Sequence, residues 1–226
     1  MAIKPILFNT EMVRAILDRR KSCTRRVIKS QPDEKHTYPL GFVNDSTERK
    51  NIGSFGFGTS ELGGSIQYVK PPYQPGDILY VREAFAWQPC WDCGMDTEQG
   101  ACTGHIYHSE KKEYGCYMYR ASCEDNEYPS ADTWHPSIHM PKEATRIWLK
   151  VTDVRVERLQ DMGKMDAVKE GIDTRLCINL KHALAKFKKL WNSTIKKSDL
   201  NCYGWDVNPW VWVIEFELCK KPKGEN

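Results

Sequence analysis

One segment constrains the fold of this 226-residue chain more than any other. Trp210-Val211-Trp212-Val213-Ile214-Glu215-Phe216-Glu217-Leu218 runs without a glycine or a proline. In an extended chain successive side chains point to opposite faces, so Trp210, Trp212, Ile214 and Phe216 share one side. That reads as a core strand. Arg146 to Val156 alternates in the same way, with Ile147, Leu149 and Val151 together. The turn Pro75-Gly76-Asp77 feeds a third strand, Ile78 to Glu83. Residues 3–8, 25–29 and 117–120 read as shorter strands. Helices are fewer. Thr10 is placed to cap one that runs to about Arg19, burying Met12, Val13, Ile16 and Leu17. A second spans Leu159 to Lys169, with Met162, Met165 and Val168 inward, and stops at Gly171. A third spans Lys181 to Ile195 and carries the apolar stripe Leu184, Phe187, Trp191 and Ile195. This order predicts an α+β fold, a small mixed β-barrel with flanking helices.

Between these elements lie two long polar stretches. Residues 30–76, rich in glycine, proline and tyrosine, predict an excursion with little regular structure. Gly53-Ser54-Phe55-Gly56-Phe57-Gly58 lacks the Lys-Ser/Thr that a phosphate loop needs and reads as a flexible loop. Residues 88–113 are polar and cysteine-rich and read as an insertion. The length and this layout predict a single domain over 1–226, with insertions at about 30–74 and 88–130.

The formal net charge of +3 is too small to mark a nucleic-acid binder by itself. Its placement says more. Residues 1–30 hold eight basic and two acidic side chains, and a second cluster comprises Lys181, Lys186, Lys188, Lys189, Lys196 and Lys197. The second reads as a solvated helix face. The first suggests a local anionic partner. No apolar run approaches the roughly 20 residues of a membrane span. The start, Met-Ala-Ile-Lys-Pro-Ile-Leu-Phe, has no export pattern, so a cytoplasmic protein is expected. The nine cysteines are then expected as thiols or metal ligands.

Within the basic N-terminal stretch, Lys21, Ser22, Thr24, Arg25 and Arg26 crowd into one turn. A lysine among other cations has a lowered pKa and can serve as a base. Thr24 offers a hydroxyl to activate, and Arg26 can hold a carbonyl or phosphate oxygen. A solvated basic turn has the same spacing.

The turn, read as Arg19-Arg20-Lys21-Ser22-Cys23-Thr24-Arg25-Arg26, resembles the Gly-x-Lys-x-x-Thr-x-Arg signature of ASCH domains, members of the PUA-like superfamily. Pro75-Gly76-Asp77-Ile78-Leu79-Tyr80-Val81-Arg82-Glu83 is similar to the family's Pro-Gly-Asp strand. Trp134-His135-Pro136-Ser137-Ile138-His139-Met140-Pro141, Ala144-Thr145-Arg146-Ile147, Arg158-Leu159-Gln160, Glu170-Gly171-Ile172 and Asn208-Pro209-Trp210-Val211-Trp212 resemble its phage and prophage branch, in the same order. The chain departs most over 30–70 and 88–130. It also carries Arg19 where the family has glycine. A positive φ there would cost about 1 kcal/mol or more.

The resemblance implies a pocket for a modified nucleoside or single-stranded RNA. Some members remove the acetyl group from N4-acetylcytidine with a lysine, a threonine and a glutamate, which correspond here to Lys21, Thr24 and Glu170. Arg25, Arg26, Arg82 and Glu83 are expected to bind substrate. The alternatives are an RNA-binding module, with Tyr80, Trp87 or Trp134 stacking a base, and a single-strand ribonuclease using Lys21 with partners such as Ser137. No cofactor is required for the hydrolysis, and no protein partner or membrane is implied.

Cys90-x2-Cys93 followed by Cys102-x2-His105 has the form of two zinc knuckles. A structural zinc on Cys90, Cys93, Cys102 and His105 is one expectation. Free thiols are the other, and Cys116, Cys123, His108 and His135 lie near enough in sequence to substitute as ligands.

Overall fold

A computed structural model describes residues 1–89, 106–108, 113–123, 134–173 and 180–223. In chain order the elements are β1 (Ile3–Leu7), α1 (Thr10–Leu17), β2 (Cys23–Val27), β3 (Tyr38–Phe42), β4 (Phe55–Ser60), β5 (Gly63–Val69), β6 (Ile78–Arg82), β7 (Phe85–Pro89), β8 (Ile106–His108), β9 (Glu113–Tyr119), β10 (Trp148–Arg158), α2 (Lys164–Lys169), α3 (Leu180–Thr194), α4 (Leu200–Tyr203) and β11 (Trp210–Cys219). The fold is mixed α+β, with several sheets and few helices. Among the described residues no sheet closes into a barrel. No helix among them is long and apolar enough to cross a membrane.

The chain groups into two compact units, one formed by Met1–Ala2, Arg19–Ile78 and Lys150–Glu217, the other by Ile3–Asp18, Leu79–Leu149 and Leu218–Asn226. In the first unit β10, β11 and β2 lie side by side. β11 runs antiparallel to β2, setting Val211 opposite Val27, Trp212 opposite Arg26, Val213 opposite Arg25, Ile214 opposite Thr24 and Glu215 opposite Cys23. Strand alternation then divides these side chains between two faces. Cys23, Val211 and Val213 pack with Met162, Ala167, Phe187 and Trp191, under α2 and α3. On the other face Trp212 meets Phe42 at 6.2 Å and Phe55 at 6.4 Å, and Trp210 meets Phe57 at 5.3 Å. The sequence assigned one core face to β11, but both are covered. Each fully buried side chain of this size stabilises the fold by about 1.5–3 kcal/mol.

Those phenylalanines belong to a three-stranded sheet of order β3-β4-β5. Residues 30–76 therefore hold more regular structure than the composition suggested, and Phe55-Gly56-Phe57-Gly58 is a buried strand, not a flexible loop. Its glycines permit close approach. A Cβ on Gly56 would meet Ile66 Cγ2 at 3.1 Å, and one on Gly58 would meet Gly63 O at 2.5 Å.

The turn into β6 forms as the sequence indicated. Asp77 N–H donates to Gln74 O at 3.0 Å, and Gly76 takes φ 87. That positive φ after a proline is what a type II turn requires. The Asp77 carboxylate accepts from Ala2 N–H at 2.8 Å and Gln74 N–H at 3.1 Å. The segment read as one helix over Leu159 to Lys169 divides instead. A 3-10 turn covers Leu159–Asp161, and α2 begins after Gly163, whose N–H donates to Asp166 Oδ2 at 2.7 Å. Met162 is buried as expected, whereas Met165 is exposed. Gly171 ends the helix at φ 89.

In the second unit β1 lies beside β6. The cap of α1 is Asn9, whose side-chain oxygen accepts from Met12 N–H at 2.9 Å; Thr10 is the first helical residue. A sheet of order β7-β9-β8 pairs Phe85 with Tyr119 and Trp87 with Tyr117. Phe85, Trp87, Tyr117, Met140 and Ala144 form its core.

Candidate functional site

Every residue of the basic turn from Arg19 onward belongs to the first unit. Arg19 follows the α1 C-cap Asp18 and takes φ 58. That conformation is cheap for glycine and strained for arginine. Beyond it, Lys21 bridges to Glu170 in antiparallel fashion. Ser22 N–H donates to Lys169 O at 2.9 Å, and Ser22 O accepts from Phe216 N–H at 2.9 Å. The entrance to β2 is thus held by the C-terminal end of α2 on one side and by β11 on the other.

This arrangement buries a charged cluster. Lys21 Nζ donates to Cys23 O at 2.7 Å, Glu170 O at 2.8 Å and Glu170 Oε2 at 2.9 Å. Three acceptors match the three protons of an ammonium. Glu170 Oε1 accepts from Arg25 Nη1 at 3.3 Å. The other guanidinium nitrogen, Nη2, reaches Glu157 Oε2 at 3.1 Å and Asp166 Oδ1 at 3.8 Å. The Arg25 side chain is fully buried, and its Nε has no hydrogen-bond partner.

Electrostatics follow from that burial. Desolvation pulls Lys21 below the ordinary lysine value, and Glu170 opposes the shift. Desolvation, reinforced by Glu170, pushes the Cys23 thiol up to about 12, so it is inert. Burial also lowers Arg26, against Tyr73 and Glu170, which favour its charged form. A lysine poised this way can pass a proton to the glutamate 2.9 Å away.

The sequence-derived residues divide accordingly. Lys21, Arg25 and Glu170 come together. Thr24 is buried opposite Ile214, and strand alternation turns it, with Arg26, to the face away from Arg25. Arg82 and Glu83 belong to the other unit. There Arg82 Nε donates to Met140 O at 2.8 Å, and its Nη2 donates to Ile138 O. Both oxygens of buried Glu83 accept from Arg146, at 2.8 and 2.9 Å. The stacking candidates are engaged as well: Tyr80 lies 6.2 Å from Trp148, Trp87 lies 5.0 Å from Tyr117, and Arg120 sits 5.8 Å over Trp134. Cys90, Cys93, Cys102 and His105 lie outside the described residues. Among the described residues no group of three His, Cys, Asp or Glu is arranged to hold a metal, and Cys116 and Cys123 form no disulfide.

No protein-family model matches this chain, and no curated protein or solved structure matches it either.

A cleft of about 630 Å³ runs beside the cluster. It is lined by Arg25 to Ser30, by Tyr68 to Lys70 with Pro72 and Tyr73, and by Trp191, Thr194, Ile195 and Trp212. Among the described residues no acidic side chain lines it. Lys21, Thr24 and Glu170 are not lining residues, but Arg25 lines the cleft and touches Glu170. Sequence reasoning missed Glu157 and Asp166 as partners of Arg25, and Tyr68, Lys70 and Tyr73 as cleft residues. The first two are separated from Arg25 by more than a hundred residues. The other three sat in a stretch read as irregular.

Proposed function

We propose that the protein is an amidohydrolase of the PUA-like ASCH type, and that it removes the acyl group from an N4-acylated cytosine nucleoside or a related modified base. The observation that carries this reading is the buried Lys21–Glu170 pair at 2.9 Å. It unites a base of lowered pKa with a proton acceptor, beside a cleft of nucleoside size. Lys21 hands one ammonium proton to Glu170 Oε2, 2.9 Å away, and the amine so formed takes a proton from water. The water oxygen bonds to the acyl carbonyl carbon, and a backbone N–H steadies the oxyanion. The carbon–N4 bond then breaks. Glu170 relays the proton from Lys21 to N4, releasing the free amine and a carboxylic acid. The register of Thr24, on the other face of β2, favours water over its hydroxyl as the nucleophile.

The test is release of cytidine from N4-acetylcytidine, followed by chromatography, with Lys21→Ala alongside. Release by the unaltered protein and none by the variant is expected. Full activity in Lys21→Ala would remove Lys21 from the mechanism.

A second reading, RNA binding without turnover, is favoured by one feature: among the described residues Arg25, Arg26, Lys29 and Lys70 line the cleft and no carboxylate does. Binding of single-stranded RNA that weakens steeply with salt, in the absence of any hydrolysis, would select it.

A further inference from the structure

A neutral nucleoside would use only part of this cleft. Tyr68 and Tyr73 present aromatic rings that can stack on a base. Arg25 is neutralised within the wall by Glu157 and Glu170. Lys29 and Lys70 are different. They are exposed, they reach the cleft from separate chain segments, and among the described residues neither takes part in an ion pair. Each follows the end of a strand, β2 for Lys29 and β5 for Lys70. A cleft whose described lining carries no acid and two unpaired ammonium groups selects for negative charge. Acetylated cytidine has none to offer. A phosphate monoester carries about −1.5 to −2 at pH 7 and three acceptor oxygens.

We propose that Lys29 and Lys70 seat a phosphate, and that the substrate is the 5′-monophosphate of the acylated nucleoside. This rests on the hydrolase reading above. Free nucleotide and nucleic-acid strand share the phosphate, so the experiment separates them.

The experiment compares kcat/KM of the intact protein for N4-acetylcytidine, its 5′-monophosphate and a short single-stranded oligonucleotide carrying the same base. The monophosphate should exceed the nucleoside by about tenfold, the scale of two partly exposed ion pairs. Raising the ionic strength should shrink that ratio. In Lys29→Met/Lys70→Met, two exposed positions, the ratio should approach one. Equal efficiency for nucleoside and monophosphate overturns the proposal, as does an oligonucleotide turned over faster than the monophosphate. If no substrate is turned over, the hydrolase reading fails and the phosphate seat is decided by calorimetry. Cytidine 5′-monophosphate binding about tenfold more tightly than cytidine sustains it, and equal binding ends it.

Discussion

Glu170 is shared between two cations, so the buried cluster responds unequally to losing either. Lys21→Ala leaves the carboxylate with Arg25 alone and should cost about 3 kcal/mol of stability. Urea unfolding measures that cost, and the cytidine assay separates it from the loss of turnover. Cys23 supplies a pH signature. Its thiol is pushed from 9.0 to about 12 in the folded protein. Between those values the folded chain keeps a proton that the unfolded chain has lost. Its contribution is therefore complete below pH 9.0 and declines as pH rises toward about 12, by about 4 kcal/mol over the window. Cys23→Ala should flatten the stability profile there. The same thiol should resist alkylation in the folded protein while exposed Cys202 reacts, a contrast that peptide mass spectrometry reads directly. Arg19→Gly should stabilise the fold by up to about 1 kcal/mol by relieving the positive φ; a lower unfolding midpoint would contradict that account. Arg19, Lys21 and Glu170 were singled out from sequence because each falls in a short motif with a family resemblance. Glu157 and Asp166 were not, because an ion pair across distant segments leaves no periodicity to read.

Periodicity served well where one face alone decides. The stripe of α3 placed Phe187 and Trp191 in the core, and both are buried. Trp191→Ala should cost about 3–5 kcal/mol in equilibrium unfolding. It failed where packing is two-sided or where side chains are missing. β11 is covered on both faces, which no alternating pattern announces. β4 was hidden by its glycines, whose value is the room they leave for β5. Gly58→Ala tests that value. The new Cβ would lie 2.5 Å from Gly63 O, backbone that cannot swing aside. A loss of about 1–3 kcal/mol is expected, and unchanged stability would mean that the hairpin yields easily. The split between the 3-10 turn and α2 was likewise unreadable from apolar spacing, although Gly163 marked the place.

Each unit of the molecule buries an ion cluster of its own. Lys21, Arg25 and Glu170 serve one, and Glu83 with Arg146 serves the other. Removing a partner should therefore cost stability in both units but turnover in only one. Arg146→Ala strands Glu83 and should lower stability by about 3 kcal/mol, while kcat measured on folded protein stays level. A collapse of kcat would tie that pair to the chemistry. The α+β character was legible in the order of strands and helices. The division into two interleaved units was not, because chain order alone does not reveal which distant segments associate.

Among the described residues β2 pairs only with β11 and β5 only with β4, so each ends its sheet, and the cleft opens along both. An unpaired strand edge is a template for any passing chain. Lysines beside such edges discourage that encounter through their charge and hydration. A variant without Lys29 and Lys70 should therefore lose solubility at concentrations the unaltered chain tolerates.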